Sequence, residues 1–111
     1  MDNSGKLKAL LIDLPMEKSD YFHILAKENS ASMQAGLVTL KPGEDVGSHN
    51  TEEYEEIVIF LEGKGEIESE GMPSRKVNRG QAAYNPPHTE HNIRNTGENL
   101  LKYIYVVAKA E

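Results

Sequence analysis

The sequence predicts an all-β chain built as two packed sheets. Helical periodicity is hard to find, short β-type runs recur about every ten residues, and turn residues separate them. About ten such runs in 111 residues are too many for one open sheet and suit a sandwich or barrel.

In chain order, the first five residues are polar and expected to be mobile. Lys8 to Asp13 and Tyr21 to Ala26 are the first two candidate strands, with room for a helical turn over Met16 to Asp20 between them. Met33 to Leu40 follows and stops at Lys41-Pro42-Gly43-Glu44, a type II turn signal: proline presets the first central residue and glycine tolerates the positive φ of the second. Val46 to Asn50 and Glu55 to Leu61 come next, then Gly65 to Ser69, Ser74 to Val77 and Gln81 to Tyr84. Glu62-Gly63-Lys64-Gly65 and Glu70-Gly71 read as hairpin connections. Pro86 and Pro87 donate nothing to a ladder and belong in a loop that stiffens the approach to the next run, His91 to Asn95. After the turn Asn95-Thr96-Gly97-Glu98, Leu100 to Val107 closes the series. The runs Leu7 to Leu14 and Leu100 to Val107 are apolar enough, as edge strands, to need covering, which points to a homodimer. Val58, Phe60, Ile67, Ala83, Tyr84, Ile93, Ile104 and Val106 are the expected core and pocket wall.

Composition narrows the function. A net charge of −6, with lysines and arginines scattered, repels a phosphate backbone and argues against nucleic acid as a partner. No run approaches the ~18 apolar residues of a membrane span, and the start lacks a secretory apolar region, so a cytoplasmic, membrane-free protein is expected. Without cysteine there is neither a disulfide framework nor a thiolate site, so any metal must be held by nitrogen and oxygen.

Two histidines 42 residues apart, His49 and His91, lie in similar settings past a glycine, and Glu56 stands just ahead of the apolar run Ile57 to Leu61. Alternation along a strand puts His49 with Thr51, and Glu56 with Val58 and Phe60, on one face. Two imidazoles and a carboxylate suit a divalent cation, if the fold brings them together. Singly, each residue has a plainer role: His49 as a turn cap, His91 as a hydrogen-bonded barrel residue, Glu56 as a partner for Arg94 or a lysine. His23 is read as structural.

The spacing carries a resemblance. Gly43, His49, Glu56 and Gly63, then Gly80, Pro86, His91 and Asn95, fill eight of ten signature positions of the paired motifs of the cupin superfamily. The departures are Thr51, where a second histidine is usual, and His88, where a glycine is usual. The resemblance implies one jelly-roll β-barrel over residues 1–111, a double-stranded β-helix with its first motif at 43–63 and its second at 80–95; strands in 1–42 and 98–111 would complete it. It implies His49, Glu56 and His91 as ligands to iron, manganese, zinc or nickel; Thr51 is a weaker candidate, and His88, Glu53 or Glu52 stand close enough in sequence to take the place it leaves. The resemblance further implies a small molecule in the barrel, either turned over by dioxygenase- or isomerase-like chemistry or simply bound or sensed, a sugar being one such ligand.

Overall fold

The most regular run in the sequence, Tyr54–Glu62, forms a strand whose side chains alternate strictly: Glu56, Val58 and Phe60 are buried, while Ile57 and Ile59 face outward. In the computed structural model, which describes residues 7–17 and 20–111, nine strands follow one another. They are β1 (Phe22–Leu25), β2 (Met33–Leu40), β3 (His49–Asn50), β4 (Tyr54–Glu62), β5 (Lys64–Ser69), β6 (Met72–Asn78), β7 (Ala82–Asn85), β8 (Glu90–Arg94) and β9 (Leu101–Lys109). All pairings are antiparallel, in a five-stranded sheet ordered β1-β2-β9-β4-β7 and a four-stranded sheet ordered β3-β8-β5-β6. Among the described residues no helix is long and apolar enough to cross a membrane.

The sheets face each other across a core of Leu40, Val58, Phe60, Ile67, Val77, Ile93, Leu101 and Tyr103. Burying each of the larger of these contributes about 1.5–3 kcal/mol. The core draws inward residues from both sheets, so it fixes their separation and leaves the inward positions nearer β3 to line a cavity.

Two turns carry the motif geometry. Gly43 has φ 85 and Glu44 N–H donates to the Lys41 carbonyl at 3.0 Å, the type II turn that the Pro-Gly pair demands. Asn95 then ties the two motifs together: its amide donates to the Leu40 and Asn99 carbonyls, both at 2.8 Å, and Gly43 N–H donates to its carbonyl at 3.0 Å.

The structure corrects several expectations. Glu62-Gly63-Lys64-Gly65 does not close a hairpin, because β4 and β5 belong to different sheets. Gly63, at φ 89, turns the corner between sheets with the Leu100 carbonyl packed where a Cβ would stand. Lys8 to Asp13 forms no strand; its apolar residues run together without alternation, and Leu11 is 97% exposed. Nor is Leu100 to Val107 an edge, since β9 lies between β2 and β4. Tyr84 stands exposed on the outer face and Ile104 and Val106 lie half-buried on it, because β9 turns Leu101 and Tyr103 inward and alternation sends their neighbours, buried Lys102 among them, to the other side. The polar start and part of the Met16 to Asp20 turn lie outside the described residues.

Candidate functional site

His49 and His91 are direct cross-strand partners in the β3–β8 ladder, so both rings project from one face, with centroids 4.1 Å apart. Glu56 enters from the opposite sheet, and His91 Nε2 lies 3.2 Å from its Oε1. Both side chains are buried, His91 at 3% and Glu56 at 8% exposure, whereas His49 is exposed at the cavity mouth. The fold thus gathers the three residues that the spacing singled out around one cavity.

Each ring is oriented in the same way. His49 Nδ1 meets the Gly47 carbonyl at 2.8 Å and His91 Nδ1 meets the Thr89 carbonyl at 3.1 Å, in both cases two residues upstream. A carbonyl only accepts, so each Nδ1 carries the proton, and each Nε2 of a neutral ring presents a lone pair. The His91–Glu56 approach is short, yet its alignment makes no hydrogen bond: Nε2 is a buried polar atom without such a partner. Burial pulls His91 towards its neutral form, but the Glu56 carboxylate, the Thr89 carbonyl and the charge on Glu90 outweigh it, and its pKa rises above the ordinary histidine value.

Glu56 is held from behind. Asn85, its cross-strand partner, donates Nδ2–H to Oε1 at 2.9 Å and accepts from Ser69 Oγ at 2.7 Å; Ser69 in turn is the cross-strand partner of His91. Sequence reasoning missed Asn85 and Ser69. The available signal was a polar residue at inward parity just before Pro86.

The remaining candidates turn elsewhere. Thr51 is buried and lines the cavity, with its hydroxyl donating to the Pro86 carbonyl at 2.6 Å and accepting from Thr89 N–H at 3.0 Å, so it lashes the end of β3 to the Pro86–Thr89 loop. His88, with φ 56, adopts the left-handed backbone that favours glycine, which accounts physically for the residue usual there. Its exposed ring meets Glu111 at 2.9 Å. Exposed Glu53 pairs with Lys109 at 3.7 Å, and Arg94 pairs with Asp45 and Glu68 rather than with Glu56.

The cavity measures about 460 Å3. Beyond the polar cluster its wall is Val38, Val46, Ile93 and Val107 with Tyr54, Tyr103 and Tyr105, and Gln34 and Asn50 add amides. Tyr21 and Tyr105 share a hydrogen bond between their hydroxyls, over the space left by Gly36. Burial pushes the Tyr103 and Tyr105 hydroxyls well above the ordinary phenol pKa, the Glu56 charge reinforcing it at Tyr103 and the Tyr21 bond at Tyr105, so both stay protonated donors.

Comparison with known proteins agrees with this architecture. The chain is 32% identical over 88 residues to an oxalate-binding protein of Thermotoga maritima, a match covering 77% of this chain and 71% of that one. Among solved structures it resembles a predicted oxalate decarboxylase from the same organism, with TM-score 0.74, 28% identity, and coverage of 80% of this chain and 78% of that one. A conserved-barrel cupin from Salinispora arenicola matches with TM-score 0.74 and 24% identity over 93% and 92% of the two chains, a likeness of fold. A cupin of double-stranded β-helix fold from Methanocaldococcus jannaschii is likewise similar in fold, with TM-score 0.76, 17% identity and 92% of each chain covered. The cupin-domain profile matches residues 36–107, spanning His49, Glu56, His91 and all of the cavity lining except Tyr21 and Gln34, and the chain belongs to the cupin family.

Proposed function

We propose that this cupin binds a small organic molecule in the cavity between its sheets, on a divalent cation held by His49, Glu56 and His91. The observation that carries the reading is the Nε2 of His91: a buried ring nitrogen without a hydrogen-bond partner, facing a carboxylate oxygen at 3.2 Å. A neutral imidazole there sets a lone pair against an anion, which favours a positive charge between them. Among the described residues no three acidic or histidine side chains are drawn close enough to form a ready cluster. The donor set nevertheless fits, being two nitrogens and one oxygen with both histidine tautomers fixed by backbone carbonyls. Iron, manganese, zinc or nickel would suit it.

A bound cation would supply Lewis acidity and open positions for a substrate. The chain's own residues do the rest. Asn85 holds the Glu56 carboxylate towards His91, Gly47 and Thr89 fix the rings, and Tyr103 and Tyr105 keep donors at the wall. The two relatives named for oxalate make small organic acids the first ligands to test. Dioxygenase- or isomerase-type turnover is the enzymatic form of this reading. Binding without turnover is favoured by Thr51, whose hydroxyl is occupied by Pro86 and Thr89 where a further ligand is usual.

The partner of this chain in solution is a second copy of itself, docked through the outer face of the five-stranded sheet. Ile57, Ile59 and Tyr84 stand exposed there beside Ile104 and Val106.

Metal content settles the central point. Protein purified without chelators should carry about one divalent ion per chain by mass spectrometry, and His49→Ala combined with His91→Ala should remove it. An empty wild type given Mn2+, Fe2+, Zn2+ or Ni2+, or metal undiminished in the double variant, would sink the reading.

A further inference from the structure

We infer that the outer face of the four-stranded sheet carries a second binding site, a cleft around Asn92 that takes a small diammonium ion. The site is independent of the cation proposed above and lies on the other side of β8.

Alternation along β8 creates it. His91 and Ile93 line the inner cavity, so Asn92 between them faces the opposite way, into a cleft of about 370 Å3 lined also by Glu68, Glu70, Glu90 and Met72; His91 borders both spaces. Glu68 is the cross-strand partner of Asn92, and Glu90 stands two residues before it on the same face. Glu70 follows directly after β5, with its N–H donating to the Glu90 carbonyl at 2.9 Å.

Asn92 thus lies at the floor of an acidic ring. The three glutamates are exposed, whereas Asn92 is only 8% exposed and its Oδ1 is a buried oxygen without a hydrogen-bond partner. Leaving such an atom unpaired is costly. The carboxylates around it cannot relieve it, because they accept and do not donate. What this cleft is short of is a donor.

It is equally short of positive charge. Among the described residues no lysine or arginine lines it. Glu68 has Arg94 at 3.5 Å, but Arg94 is shared with Asp45. Glu70 and Glu90 meet neutral donors: Glu90 N–H reaches Glu70 Oε1 at 3.2 Å, and Ser48 Oγ and Asn50 Nδ2 reach the Glu90 carboxylate at 2.9 and 3.5 Å. Two carboxylates therefore share one cleft uncompensated, which favours a ligand with two positive charges. Glu90 leans towards Ser48 and Asn50 on the β3 side, while Glu68 and Glu70 reach from the β5 side, so negative charge lies on both sides of Asn92. Two ammonium groups joined by a short alkyl chain match that spread. Their N–H groups supply charge-assisted donors to the carboxylates and to the Asn92 oxygen, and the methylenes lie against Met72.

The test is calorimetric titration of the protein, at physiological salt, with 1,4-diaminobutane and with butylamine. One diamine should bind per chain, about tenfold or more tighter than the singly charged amine. Glu90→Gln and Asn92→Leu, which keep the volume and remove the charge or the acceptor, should each weaken the diamine by about tenfold or more. Glu28→Gln removes the same charge from an exposed turn elsewhere and should leave the affinity within about twofold. Either cleft variant that folds decides the matter, with folding checked by its thermal transition. No saturable binding, butylamine binding as tightly as the diamine, a loss in Glu28→Gln as large as in Glu90→Gln, or displacement of the diamine by an equal concentration of Mg2+ would each overturn the inference.

Discussion

Thr51 occupies a position where its family usually has a histidine, and its hydroxyl has become a structural tie. Replacing it with valine keeps the volume but leaves Thr89 N–H and the Pro86 carbonyl without that partner, in a buried setting. Thr51→Val should therefore destabilise the protein by about 1–3 kcal/mol, read as a shift in the urea midpoint. His91 gives a pH dependence. In chelated protein its folded-state pKa stands above the ordinary 6.5, so the native state holds this proton more tightly than the unfolded chain. The stabilisation is present in full below the unfolded value and is lost as pH rises through the raised folded one. The stability advantage of wild type over His91→Gln should accordingly be larger at about pH 6 than at about pH 9, and an advantage that grows with pH would refute the sign. The three residues gathered round the cavity were legible in the sequence, because motif spacing and strand alternation are both written there. His88 was not: the left-handed backbone that turns its ring towards Glu111 depends on the loop closing against Glu52, a tertiary fact.

Strands followed from the sequence wherever alternation and turn residues agreed, as in β2 and β4. Where apolar residues ran on without a break the pattern lost its parity. Leu100 to Val107 reads equally well with either set of residues inward, and only pairing of β9 between β2 and β4 selects Leu101 and Tyr103. Lys8 to Asp13 has the composition of a strand but no ladder to join. The β4–β5 connection is the most instructive element. Its glycine signature is common to a hairpin and to a corner between sheets, and the choice rests on which strands find partners. At Gly63 both the positive φ and the Leu100 carbonyl exclude a side chain. Gly63→Ala should cost at least about 2 kcal/mol by denaturant titration. Gly71→Ala, at similar φ but with open space around it, should cost less, since backbone strain alone applies.

At the scale of the whole molecule, the outer face of the five-stranded sheet leaves Ile57, Ile59 and Tyr84 exposed, the surface through which a homodimer is proposed. Light scattering of the full chain should give twice the monomer mass, and Ile59→Lys, which puts a charge in the middle of the outer apolar face, should halve it. A monomeric wild type would remove the homodimer. The two sheets also meet through different materials at different places, hydrocarbon in the core and the Glu56–His91 contact at the cavity. Hydrocarbon contacts tolerate sliding and are indifferent to pH, whereas the polar contact is directional and changes with every proton it gains or loses. The barrel therefore behaves like a pair of tongs, riveted at the core and gripping at the cavity. With the core fixing how far apart the sheets stand, a proton or a bound charge at the cavity alters how firmly Glu56 and His91 hold them there, and not their spacing.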